Sequence, residues 1–277
     1  MRDNSKRVSA AADPAPTTQT AEAFSFATPT EIVELPSKGR FYPPDHPLHN
    51  EETIEIKYMT AKEEDILTSP ALLKKGVALD RLIQNVISDK NISVDTLLSG
   101  DKSAIMVASR INGFGAEYKT KVLCPSCSTD SEAAFDLSEV EAYHGDDYGD
   151  YDVTLTENGT FIIKTPVTKL DVEVRLLNSK DESYLVKRQT AKKKSDLDTS
   201  LSDMIRMILV SINGQSGPDF FRQFIEHLPA ADSRYIRAAY SRLVPAPDMR
   251  QNFVCPSCSH EEEVEIPMSV GFFWVRQ

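Results

Sequence analysis

An α+β fold is predicted, built from helical segments, small antiparallel sheets and a discontinuous module drawn together by four cysteines. Three observations predict it. Runs with apolar residues every three or four positions are interleaved with short runs of period two, so both kinds of element occur along the chain. All four cysteines lie in two copies of one tetrapeptide, Cys124-Pro-Ser-Cys127 and Cys255-Pro-Ser-Cys258. Hydrophobic residues make up 40% of the 277 positions and charged ones 26%, enough for a real core in one or two domains.

Residues 1–30 are rich in Ala, Ser, Thr and Pro, with almost no large apolar side chain before Phe24, so a disordered N-terminal arm is expected. Order is expected from about Glu31, where ELPSKGRFYP (34–43) reads as extended chain with a turn at Lys38-Gly39. The alternation in Thr53–Tyr58 predicts a half-buried strand. Thr60 with Glu63 makes a capping-box pattern opening a helix that carries Ile66 and Leu67. A second helix is predicted over 77–88, with Leu82, Ile83 and Val86 on one stripe, and a third over 102–112 burying Ile105 and Met106.

Residue types favour strands on both sides of the first CPSC, over 118–135, followed by an acidic loop at 144–152. Strands are predicted at 153–155, 161–163 and 172–177, the first two joined by a hairpin at Asn158-Gly159. Helices follow at 183–193, with a basic face, and at 198–212, with Leu201, Ile205, Ile208 and Leu209 apolar. Two more span 218–228 and 232–243, and Pro245 and Pro247 end the helical part before the second CPSC.

The formal net charge of −11 argues against the sequence-independent nucleic-acid binding that a basic surface gives. One local basic run, Lys187, Arg188, Lys192, Lys193 and Lys194, reads as a helix face turned to solvent or to an acidic partner. No stretch approaches the ~18 apolar residues of a membrane span. The early positive charge has no apolar run behind it, so no secretory leader is expected. A reducing cytoplasm is the expected compartment, where four cysteines do not form two disulfides.

A C-x-x-C turn spaces two thiolates to chelate one tetrahedral ion, and two such turns complete a four-thiolate site. Cys124, Cys127, Cys255 and Cys258 are therefore read as ligands of one structural zinc, in a zinc-ribbon module. A redox C-x-x-C needs only one pair, and an iron–sulfur cluster does not call for paired knuckles; unpaired cysteines would not recur in identical tetrapeptides. Between Cys127 and Cys255 lie 127 residues (255 − 127 − 1), so the metal would clamp the ends of a long insertion. Four thiolates leave no open position on the ion, which makes the metal structural.

No catalytic constellation is visible. The histidines His46, His49, His144, His227 and His260 form no helical metal pair, and the chain has no G-x-S-x-G, Walker A or G-x-G-x-x-G pattern. Asp146, Asp147, Asp150 and Asp152 miss the spacing of a calcium loop and read as a solvated acidic loop. No enzyme, no small-molecule substrate and no catalytic residue are expected.

Several segments taken in order carry a resemblance: LPSKGRFYP (35–43), IKYMTAKEEDIL (56–67), LLSGDKSAIMVASRINGFGAEY (97–118), the first CPSC, FIEHLPAADSRYI (224–236), the second CPSC and GFFW (271–274). Together they resemble the baseplate hub subunit family of T4-type contractile-tailed phages. The family's usual Tyr-Gly stands here as Phe114-Gly115, and 138–200 carries little that matches. The resemblance implies a virion tail baseplate component with other baseplate and tail proteins as partners, or an assembly chaperone that leaves before the tail is finished. A zinc-ribbon nucleic-acid-binding protein is the rival from another class. The expected organisation is an arm (1–30), a strand-plus-helices region (31–117), a discontinuous zinc-ribbon module (118–137 and 250–277) and an inserted hairpin and helical region (138–249). Phe272, Phe273 and Trp274 are expected to pack on the zinc module rather than anchor a neighbour.

Overall fold

The computed structural model describes residues 27–191, 199–268 and 270–273. Most of the expected arm, Lys192–Lys194 of the basic run, and Trp274 lie outside the described residues.

Two strands, β1 (Thr30–Glu34) and β2 (Thr53–Lys57), pair antiparallel, and α1 (Ala61–Thr68), α2 (Pro70–Lys75) and α3 (Ala78–Val86) follow. The capping box forms: Thr60 N donates to Glu63 Oε2 at 3.0 Å. The predicted second helix (77–88) is α3, and an unpredicted short helix, α2, precedes it and ends where Gly76 takes a left-handed conformation (φ 67°). Ile87 leaves the helix to form a bridge with Ile56.

Helix α4 (Ser99–Phe114) is the axis on which the rest is placed. It starts three residues earlier than expected, and its first turn holds Gly100 and Asp101 in the core. A Cβ on Gly100 would stand 1.6 Å from the Pro245 carbonyl oxygen, so only glycine lets α4 lie directly on that backbone.

After α4 come β3 (Glu117–Leu123) and β4 (Asp130–Asp136), a hairpin, then β5 (Glu141–Tyr143). The chain next makes an antiparallel sheet of order β6-β7-β8-β9 from β6 (Val153–Leu155), β7 (Phe161–Lys164), β8 (Asp171–Val174) and β9 (Leu209–Ile212). Its buried face is Phe161, Ile163, Val172, Val174, Leu209 and Ile212. The Asn158-Gly159 hairpin is present, with Gly159 at φ 73°.

Helices α5 (Ser179–Ala191) and α6 (Ser200–Ile208) intervene between β8 and β9, and α7 (Pro218–His227) and α8 (Ala230–Leu243) follow. The expected helix 198–212 is corrected: it ends at Ile208, and Leu209–Ile212 is a strand. Those residues pair with β8 and Ser211 Oγ donates to Glu173 Oε2 at 2.7 Å, so tertiary pairing overrides the local helical period. The expected strand 172–177 likewise stops at Val174, at an irregularity in the β8–β9 register. Helix α5 starts four residues early because Asn178 Oδ1 accepts from the Asp181 N–H at 3.0 Å, capping it.

Near the C-terminal end, β10 (Ala246–Asp248) pairs with β5, and β11 (Arg250–Val254) and β12 (Glu261–Glu265) form a second hairpin. The β5–β10 ribbon closes the base of the intervening excursion and so brings the β3–β4 and β11–β12 hairpins together. Among the described residues there are eight α-helices, none long and apolar enough to cross a membrane. The buried apolar residues form one continuous cluster that runs from Val33 in β1 to Phe272 and Phe273.

Candidate metal centre

Each CPSC caps a hairpin, and the two hairpins repeat one another at a spacing of 131 residues (255 − 124). Cys124 N donates to Thr129 O at 3.0 Å and Ser128 N to Cys124 O at 2.9 Å. In the second hairpin Cys255 N donates to His260 O at 2.8 Å and Ser259 N to Cys255 O at 2.9 Å. Ser128 and Ser259 are both left-handed, at φ 56° and 57°. The register repeats as well: Val122 pairs with Ser131 as Phe253 pairs with Glu262. Inward positions correspond too, with Tyr118, Val122 and Phe135 buried as are Met249, Phe253 and Ile266.

This repetition sets the four sulfurs face to face. Cys124 Sγ lies 3.7 Å from Cys258 Sγ, Cys127 Sγ lies 3.7 Å from Cys255 Sγ, and all four are within 4.8 Å of one another. Four thiolates each about 2.3 Å from one tetrahedral ion stand about 3.8 Å apart, so the donor set fits a metal of that geometry. Cys124 and Cys255 are buried while Cys127 and Cys258 face outward.

Electrostatics favour a cation here. Hydrogen bonds from Thr129 hold the Cys127 thiol down to about 6. The main-chain N–H of Cys258 is the largest influence on Cys255, which is also lowered. For Cys258 the main-chain bond at His260 pulls down, but the neighbouring sulfurs, Cys127 foremost, and burial together push it up to about 12. Thiols this close cannot all ionise unless positive charge is supplied among them.

The surrounding scaffold ties the hairpins to each other and to α4. Gln251 acts as an extra peptide group: its Oε1 accepts from Asp136 N at 3.2 Å and its Nε2 donates to Asp136 O at 2.5 Å. Phe272 and Phe273 are buried, as expected, with the Phe272 ring 5.0 Å from that of Tyr118. Arg110, on α4, is only 1% exposed and donates to the carbonyls of Phe272, Gly115 and Glu117. Sequence reasoning missed this residue; a lone cation within an otherwise apolar helix stripe was the available signal.

A second buried network joins two of the segments that carried the resemblance. Asp101, fully buried, accepts from Ser37 N at 3.0 Å, Ser37 Oγ at 2.6 Å and Tyr42 Oη at 2.8 Å. Tyr42 Oη in turn accepts from Leu98 N at 3.0 Å. Asp232, in the first turn of α8, takes the N–H groups of Val167 and Thr168 and the Thr168 hydroxyl. These carboxylates hold loops and do not face an open cleft.

The profile of the family described as T4 bacteriophage base plate protein matches residues 28–274. The chain belongs to that family. The match spans both sulfur hairpins, the α4 axis and both carboxylate networks of this baseplate protein. No curated protein and no solved structure gives a significant match to it.

His46 and His144 of the baseplate protein tie chain segments together. His46 Nδ1 accepts from Leu48 N and its Nε2 meets Thr96 Oγ1 at 2.8 Å, while His144 Nδ1 bonds Pro36 O at 2.9 Å. His46 and His49 are half-buried and hydrogen-bonded within a turn whose Pro43, Pro44, Asp45 and Pro47 are exposed. Of the acidic loop, Asp147 accepts from Gly149 N and pairs with Arg242.

Proposed function

We propose that this baseplate protein is a structural subunit of the tail hub, that Cys124, Cys127, Cys255 and Cys258 hold one structural zinc, and that it acts by protein–protein contacts during tail assembly in the host cytoplasm. It makes and breaks no bonds. The observation that carries the reading is the sulfur cluster itself. In a chain of this family, four thiols from two hairpins 131 positions apart lie within 4.8 Å of one another. Asp101, Arg110 and Asp232, the least exposed charged side chains among the described residues, hold main-chain segments together. A nucleic-acid role is disfavoured because β12, beside the second knuckle, carries Glu261, Glu262, Glu263 and Glu265.

Quantitative mass spectrometry of purified virions, counting this chain against the tail-tube protein, tests the reading. A few fixed copies per particle are expected. Absence from particles despite strong expression in infected cells would replace the subunit reading with that of an assembly chaperone.

A further inference from the structure

β1 is an open sheet edge. Tyr58 N donates to Pro29 O and Leu35 N to Glu52 O, which places the odd-numbered residues of β1 in the bonds to β2. The N–H and C=O groups of Ile32 and Glu34 therefore point to the other side. There they meet no backbone partner among the described residues. An open groove of about 250 Å³ runs along this edge. Its floor is the α4 stripe Ala104, Val107, Ala108 and Ile111, at the i, i+3, i+4, i+7 spacing of one helix face. Its far wall places Leu137, Val140 and Ala142 beside Ser138 and Glu141.

The charged residues lining this groove are all acidic: Glu31, Glu34 and Glu141. Glu31 Oε2 is buried and lacks a hydrogen-bond partner among the described residues. A second copy of the chain is a poor occupant, because antiparallel pairing of two β1 edges would crowd Glu31 and Glu34 of both copies into one short ribbon, in diagonal or direct cross-strand positions. An inward-facing carboxylate on an edge strand also discourages self-association.

We propose that this groove receives an extended basic segment of a neighbouring protein, added to β1 as a third strand. Its inward side chains cover the α4 stripe, a lysine or arginine meets Glu31, and outward cations lie beside Glu34. Main-chain bonds to Ile32 and Glu34 supply affinity and the carboxylates supply selectivity. The proposal rests on the assembly role above, but its test does not depend on whether the chain stays in the virion.

The probe is an acetylated, amidated Lys-Val-Lys-Lys-Lys-Val peptide, whose outward positions are all lysine and whose inward positions read Val, Lys, Val, titrated into the full-length metal-loaded chain by calorimetry. Binding is expected, weakened about tenfold or more by the Glu31→Gln/Glu34→Gln pair and by alternate backbone N-methylation of the peptide. The corresponding Glu-Val peptide is expected not to bind. Ile32→Pro removes one outward N–H without touching the bonds to β2, and it should weaken binding while leaving circular dichroism and metal content unchanged. No binding of the Lys-Val peptide, or equal binding by the glutamine variant and the methylated peptide, overturns the proposal. A photo-crosslinker at position 32 in infected cells should then capture a basic segment of another tail protein. Capture of residues 1–26 of the same chain, or of a second copy, overturns the assignment of the occupant.

Discussion

Arg110 Nε donates to the Phe272 carbonyl at 2.9 Å, joining residues 162 positions apart. The other guanidinium nitrogens reach Gly115 O and Glu117 O, so one planar fork fastens the C-terminal turn, the end of α4 and the start of β3. The cation has no carboxylate partner among the described residues, and burial lowers its pKa; the rings of Phe114 and Tyr118 lie 5.4 and 5.9 Å from it.

Arg110→Ala strips three carbonyls of their donor and should cost about 3 kcal/mol or more in urea unfolding. Arg110→Lys keeps the charge but not the fork, and should recover only part of that loss. Protease trimming of the C-terminal segment should accelerate in both variants, and equal trimming rates in wild type and Arg110→Ala would contradict the fastening role.

Asp101 and Asp232 predict opposite pH dependences. Burial raises the Asp101 carboxyl above its ordinary value despite the Ser37 and Tyr42 bonds. Its contribution is therefore fully present below the ordinary carboxylate pKa and is lost as pH rises through the raised one. Relative to Asp101→Asn, wild type should gain stability on acidification from neutral pH.

For Asp232, burial again opposes ionisation, but the bonds from Thr168 and Val167 win and the pKa is lowered. Its contribution is present above the ordinary value and is lost as pH falls through the lowered one. The advantage of wild type over Asp232→Asn should shrink on acidification, read from unfolding curves at stepped pH.

The purified chain should carry one equivalent of zinc by elemental analysis. Chelation, or Cys124→Ser or Cys255→Ser, should remove it and give an insoluble or protease-sensitive protein. Because thiolates must be deprotonated to bind, acid should release the metal with proton uptake. A metal-free chain that folds and assembles normally would sink the zinc reading.

Gly100→Ala should destabilise by about 3 kcal/mol, since the new methyl meets rigid backbone at Pro245. Gly113→Ala is the control: its methyl meets the Met59 side chain at 3.2 Å, which can give, and helix propensity offsets the contact by about 1 kcal/mol. Thermal melts of the two variants should separate clearly.

What the sequence by itself determined were features encoded at short range. The paired CPSC turns named all four clustered sulfurs, because a knuckle is set by four residues and repetition removes the ambiguity. The Thr60–Glu63 cap and the Asn158-Gly159 hairpin were legible for the same reason: each is local chemistry. Tertiary structure alone decided that Leu209–Ile212 leaves the helix, since pairing with β8 exceeds a weak local preference. It alone set the common register of the two hairpins, the reach of Arg110 to Phe272, and the meeting of Asp101 with Ser37 and Tyr42. Those contacts join residues some 60 to 160 positions apart. No periodicity within one segment can encode them, because they exist only once the β5–β10 ribbon and the α4 axis have brought distant backbone within hydrogen-bonding distance.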